Sequence, residues 1–317
     1  MFRLFYIFCF SFVLFSHESI QQQSLPYTAG YRSSFRFHQT GNINLLISAP
    51  HGGTVMPYDV PDRTIGGCLR TSGLNAGECT WFFNDTCSDG NICNTTTVRD
   101  TQSDEFAENV ANELNKTWGY KSYVIIGTWS RKKVDFNREI DEATLNHPEA
   151  IAAYQAYHAF INQTVNYIHN NYDTGLLIDI HGHGQGNYTM AGYLLSGQQL
   201  NQNDLNVLRV TTSIEPLCGT DRNECIRGQS SFGTILELNG LGIVYPSVAN
   251  PKPGNREFLS GGFITRNYIS RINAIQTELP NGIRTAANRV DNAKNYAQAI
   301  IDYMEMNNIL RNATATV

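Results

Sequence analysis

Two apolar runs in this chain end in histidine and glycine. Leu176-Leu177-Ile178-Asp179-Ile180-His181-Gly182-His183-Gly184 reads as a buried strand that breaks into an acid, two imidazoles and glycines. Asn44-Leu45-Leu46-Ile47-Ser48-Ala49-Pro50-His51-Gly52-Gly53 repeats the pattern far upstream. Imidazole is a good ligand for zinc-like metals, and ligands of open α/β sheets bind at the carboxyl ends of strands. Two strands that each deliver a histidine there can meet at one site, which points to a metal-dependent hydrolase.

Such a site needs three protein ligands and one open position for water. His51 and His181 are the nitrogen candidates. Arg99-Asp100-Thr101-Gln102-Ser103-Asp104-Glu105 offers three acids at a strand-to-helix junction, and spacing alone does not choose among them. Asp100 also suits a helix N-cap. Ser130-Arg131-Lys132-Lys133-Val134-Asp135-Phe136-Asn137-Arg138 reads either as a solvated loop or as a carboxylate-recognition arm, since arginine offers a planar fork of donors. Ile272-Asn273-Ala274-Ile275-Gln276-Thr277-Glu278-Leu279 places one acid inside an apolar run. It reads either as an edge-strand glutamate facing solvent or as a buried one, which needs a partner or a function and beside a metal-bound water is the natural general base.

The elements that would position these residues alternate between strand and helix patterns. Strands are predicted at 43–49, 121–128, 175–181, 191–196, 263–269 and 271–279. Helices are predicted at 103–117, 148–171, 202–216, about 230–238 and about 285–309. Pro148 suits a first helical turn, and His158 lies in the apolar stripe of its helix as a core or boundary residue. This alternation implies an α/β sheet with helices on both faces. Residues 60–98, rich in Gly, Cys, Asn and Thr, read as a disulfide-pinned insertion in a single domain over 41–317, and residues 20–40 as an N-terminal arm.

Residues 1–19 carry Arg3 before a short apolar run, as a secretory signal peptide does. Beyond Cys9, six cysteines remain (Cys68, Cys79, Cys87, Cys93, Cys218 and Cys225), an even number that favours disulfides, with Cys218 and Cys225 closing a small loop. Glycosylation sequons begin at Asn84, Asn94, Asn115, Asn162, Asn187 and Asn312. A secreted glycoprotein, or one of the secretory-pathway lumen, is expected, with no membrane association after signal cleavage. The net charge of −5, without a Lys/Arg block, disfavours nucleic acid as a partner.

Taken in order, Ser48-Ala49-Pro50-His51-Gly52-Gly53, Asp100 with Asp104, Ser130-Arg131 leading to Asp135-Phe136-Asn137-Arg138, Asp179-Ile180-His181, Gly261-Gly262-Phe263-Ile264-Thr265-Arg266 and Gln276-Thr277-Glu278-Leu279 resemble the N-formylglutamate amidohydrolase family. The resemblance runs from about 43 to 284. It implies a fold similar to zinc carboxypeptidases: a mixed, mainly parallel sheet sandwiched between helices, here with a disulfide-rich insertion. It implies one Zn2+ per chain held by His51, His181 and an acid, Asp100 matching best and Asp104 next. Asn137 and Arg138 would grip a substrate carboxylate, with Asp135 and Arg266 in the same substrate-binding group. Arg131 and Arg266 would polarise the scissile carbonyl or bind a second carboxylate, and Glu278 would act as general base. The family usually carries serine where this chain has Gly182, which leaves His183 as a supporting group or a substitute ligand.

The expected function is therefore a secreted zinc-dependent amidohydrolase. Its substrate would be an N-acyl amino acid or small peptide-like compound bearing a free carboxylate. The alternatives are a poly-γ-glutamate hydrolase or carboxypeptidase, and a catalytically inactive binding protein on the same fold.

Overall fold

The computed structural model describes residues 24–313 apart from 72, 74–75, 86 and 88–90. The expected signal peptide, with Cys9, lies outside the described residues. Eleven strands are described: β1 (Thr28–Ala29), β2 (Phe35–His38), β3 (Leu45–Ala49), β4 (Gly67–Leu69), β5 (Cys79–Thr80), β6 (Ile92–Cys93), β7 (Tyr123–Gly127), β8 (Leu176–His183), β9 (Thr189–Gly192), β10 (Val244–Tyr245) and β11 (Asn273–Pro280). Eight form one mixed sheet in the order β1-β2-β7-β3-β8-β11-β9-β10. Its centre, β7-β3-β8-β11, is parallel throughout, and antiparallel pairings join it to β2 and β9.

Strand alternation sends successive side chains to opposite faces. Leu45, Ile47, Ala49, Leu176, Ile178, Ile180, Ile275 and Leu279 pack on one face with the helices Ser103–Trp118 and Arg289–Met306. Leu46, Tyr123, Ile125, Leu177 and Ala274 pack on the other against the helix Pro148–Asn171. The sheet is thus sandwiched between helices, as the sequence predicts.

Within Pro148–Asn171, His158 is a boundary residue. Its Nδ1 lies 2.9 Å from the Tyr268 hydroxyl and its Nε2 3.0 Å from the Phe136 carbonyl oxygen. Burial pushes its imidazole down to about 4, against the pull of the Phe136 carbonyl. The folded chain therefore resists a proton that the unfolded chain accepts near pH 6.5. Stability is complete above that pH and falls as pH drops toward 4, by at most about 3 kcal/mol. Urea midpoints followed from pH 7 to 4.5 should fall less steeply for His158→Gln than for the wild type. Parallel curves would refute this assignment.

Three expectations differ from the structure. Residues 28–38, read as an arm, add β1 and β2 to the sheet, with Phe35–His38 paired to β7. Residues 263–269 hold a short helix, Phe263–Asn267, in place of a strand. A short apolar run has no periodicity to decide between the two, and the tertiary bond from Ile264 N–H to Asn137 Oδ1 fixes the helical turn. Residues 202–216 are mostly turns. Asp204 accepts from the Asn206 amide and Glu215 from Thr212, so side chains compete with helical bonding there.

The insertion folds as a small sheet, β5-β4-β6, crossed by disulfides Cys68–Cys87 and Cys79–Cys93. Cys218–Cys225 closes its own loop as expected. Disulfides place the chain in an oxidising compartment. No helix among the described residues is long and apolar enough to cross a membrane.

Candidate metal centre

The carboxyl ends of the parallel strands converge on one cavity of about 700 Å³. His51 follows β3, His181 lies near the carboxyl end of β8 and Asp100 sits in the turn before the helix Ser103–Trp118. His51 Nδ1 and His181 Nδ1 are 3.1 Å apart, His181 Nδ1 and Asp100 Oδ2 3.0 Å, and His51 Nδ1 and Asp100 Oδ2 3.4 Å. A tetrahedral ion with N and O ligands at about 2.0–2.1 Å requires ligand–ligand edges of about 3.3–3.4 Å. All three residues are buried. The donor triangle therefore fits a small divalent cation. Two imidazoles and a carboxylate match zinc chemistry.

The far sides of both rings face carboxylates. His51 Nε2 is 2.7 Å from Asp135 Oδ1, and His181 Nε2 is 2.9 Å from Asp179 Oδ2. Such carboxylate–histidine pairs fix the tautomer that turns the other nitrogen toward a metal. Burial alone would lower the His181 pKa, yet Asp179 and Asp100, with help from Glu278, raise it well above the ordinary value. Burial likewise opposes ionisation of Asp100, but His181 and His51 outweigh it and hold the carboxyl well below its usual range. The carboxylates around the two rings thus favour positive charge at the imidazoles.

Strand register sets Glu278 directly opposite His181 and Gln276 opposite Asp179. Gln276 Nε2 donates to Glu278 Oε1 at 2.8 Å. Burial, assisted by Asp100, pushes the Glu278 carboxyl up to about 7 against the pull of His181 and Arg131. A carboxylate poised near neutrality beside a cation site suits proton transfer.

Of the acids at 100–105, Asp100 joins the histidines. Asp104 instead faces Arg99 at 3.5 Å. Arg131, Asn137 and Arg138 line the cavity. Arg131 Nε donates to Asp135 Oδ2 at 2.7 Å, and its Nη1 stands 3.8 Å from Asp100 Oδ1. Asn137 touches the His181 ring at 3.0 Å and accepts from Ile264 N–H. Arg138 is paired with Glu142 at 3.4 Å.

Two expected substrate contacts do not line the cavity. Asp135 is fully buried behind His51, where Arg131 and the ring consume both its oxygens. Arg266 is 57% exposed, because the turn at Phe263–Asn267 points it outward toward Glu139. His183 borders the cavity but is not free to ligate. Its Nε2 donates to the Tyr188 carbonyl, and its Nδ1 accepts from the Gln185 amide.

Supporting roles fall to residues to which the sequence assigns none. Asp179 and Gln276 each lie two residues before a site residue on the same strand face, a signal that strand alternation carries. Arg63, 1% exposed, reaches from the insertion to within 3.8 Å of Asp135 and donates to the Arg131 carbonyl. Nothing in its local sequence marks it.

Fold and site together define an α/β protein with a buried His-Asp-His cluster that could hold a metal ion and a glutamate on the neighbouring strand. No protein-family model matches the chain, and no curated protein matches it in sequence. Among solved structures it is similar to N-formylglutamate amidohydrolase from Ralstonia eutropha JMP134, at 13% identity over 87% of this chain and 98% of that one, with a TM-score of 0.47. It is also similar to a metallo-carboxypeptidase from Burkholderia cenocepacia (12% identity, 90% of this chain, 66% of that one, TM-score 0.41). A third similar structure is the metallo-carboxypeptidase from Pseudomonas aeruginosa in complex with (2-guanidinoethylmercapto)succinic acid (10% identity, 90% of this chain, 65% of that one, TM-score 0.39).

Proposed function

We propose that this chain is a secreted, zinc-dependent amidohydrolase that cleaves an amide bond in an N-acyl amino acid or small peptide-like substrate with a free carboxylate. The observation that carries this reading is the donor triangle of 3.0–3.4 Å edges, backed by carboxylates on both rings and flanked by a glutamate raised to about 7. A binding protein needs no such base. His51, Asp100 and His181 would hold the ion. When bound, it supplies Lewis-acid polarisation and makes a coordinated water acidic near neutral pH.

The remaining work falls to the protein. Glu278 takes the proton of the attacking water and delivers it to the leaving nitrogen, so the products are a carboxylate and an amine. Gln276 holds the Glu278 carboxylate in place through its amide. Arg131 keeps its positive charge between Asp135 and Asp100 and faces the developing oxyanion, an electrostatic contribution that is often the largest in catalysis. Asn137 and Arg138, which also line the cavity, orient the substrate carboxylate. The cavity volume lies within the range of small-molecule sites, with room for a short peptide. Secretion and glycosylation accord with the disulfides and with sequon asparagines that are exposed at Asn84, Asn94, Asn162, Asn187 and Asn312.

Metal analysis of the purified protein beside His181→Ala tests the reading. About one zinc per chain is expected in the wild type and essentially none in the variant, because losing one of three ligands leaves an incomplete shell. A metal-free wild type, prepared without chelators, would overturn the hydrolase and favour the carboxylate-binding protein.

A further inference from the structure

Arg284 ends the short helix Asn281–Arg284 and borders the cavity, yet it is only 2% exposed. A buried guanidinium is costly unless it is paired or performs a task. Its hydrogen bonds go to no carboxylate. Nε donates to the Leu279 carbonyl at 3.0 Å, Nη1 to the Thr101 carbonyl, and Nη2 to the His183 carbonyl at 3.3 Å and to Asn281 Oδ1 at 2.7 Å. Leu279 follows Glu278, Thr101 follows Asp100, and His183 lies two residues beyond His181. One planar fork therefore grips the three segments that carry the acid ligand, the second histidine and the base.

The backbone makes room for this contact. A Cβ at position 182 would lie 2.2 Å from the Arg284 guanidinium carbon, so the residue after His181 must be glycine for the guanidinium to lie where it does. Asp100 Oδ2 in turn accepts from the Gly182 amide at 3.1 Å, which ties the same two segments a second time. The bonds converge on the strand ends at the site and not on the hydrophobic layers.

We propose that Arg284 is a positioning residue that sets the spacing of Asp100, His181 and Glu278, with Gly182 as its seat. This rests on the metal-site reading above. Lysine cannot replace it, because an ammonium lacks the fork that spans three carbonyls.

Zinc affinity by chelator competition, with melting of the metal-free protein as an independent readout, tests the proposal on wild type, Arg284→Lys, Arg284→Ala and Gly182→Ala. Each variant should fold and bind zinc about 10–100-fold more weakly, the loss typical of residues that orient metal ligands. Millimolar guanidinium, which can enter from the cavity, should restore part of the affinity of Arg284→Ala and leave wild type and Arg284→Lys unchanged. Wild-type affinity in folded Arg284→Lys and Arg284→Ala would overturn the proposal, as would a loss in Arg284→Ala that guanidinium does not relieve. If neither Arg284 variant folds, the residue belongs to the fold and the proposal fails. A wild type that binds no zinc would instead remove the metal-site reading itself.

Discussion

Glu278→Gln is expected to leave the fold and the metal content unchanged while lowering turnover about 10²–10⁴-fold, the usual contribution of a positioned general base. Glutamine has the same shape, and its carbonyl oxygen can still accept from Gln276 Nε2. It cannot take a proton from water at neutral pH. The substitution also removes a buried charge that Asp100 already opposes, so the melting temperature should hold or rise. The comparison is made on an amide of the proposed substrate class that the wild type is found to cleave. Equal turnover would remove Glu278 from the chemistry. Loss of metal in this variant would make it a ligand.

Asp135→Ala is expected to act on stability and metal together. Asp135 is fully buried among the Arg131 guanidinium, the Arg63 guanidinium and the His51 ring. Burial opposes its ionisation, but Arg131 and His51 hold the carboxyl well below its usual range. Deleting it leaves two buried cations facing each other without their shared anion. Breaking a buried pair in this way costs about 3–5 kcal/mol, a large share of the ~5–15 kcal/mol that holds a domain together. His51 also loses the group that fixes its tautomer, so zinc affinity should fall about 10–100-fold in whatever protein remains folded. Denaturant titration and chelator competition read the two effects separately. Stability within about 0.5 kcal/mol of wild type, the usual scatter of surface substitutions, would show that the arginines find other partners.

The two predictions distinguish residues that the sequence treats alike. Both acids sit in motif-like segments, and only the structure separates the one facing the cavity from the one behind a histidine. The histidines were legible because an apolar run that stops at His-Gly places its last side chain at a strand end. The acid that completes the triangle was not fixed by spacing, because Asp100 and Asp104 lie four residues apart: the first precedes the helix Ser103–Trp118 and meets the histidines, and the second lies within it and faces Arg99. Strand alternation would have marked Gln276 and Asp179. Arg63 and Arg284 lay beyond reach, since their hydrogen bonds go mainly to carbonyl oxygens, which every residue carries and no pattern records. The long helices were legible for the opposite reason: their apolar stripes repeat over several turns, whereas 263–269 and 202–216 are governed by contacts from elsewhere in the chain.

The donor triangle joins residues far apart along the chain: His181 lies 81 residues from Asp100 and 130 from His51. No local segment of an unfolded chain can present these three atoms together, so loop-closure entropy must be overcome before the site exists. A cation that binds these three atoms would therefore find them only in the folded chain, and would add RT ln(1 + [M]/Kd) to its stability.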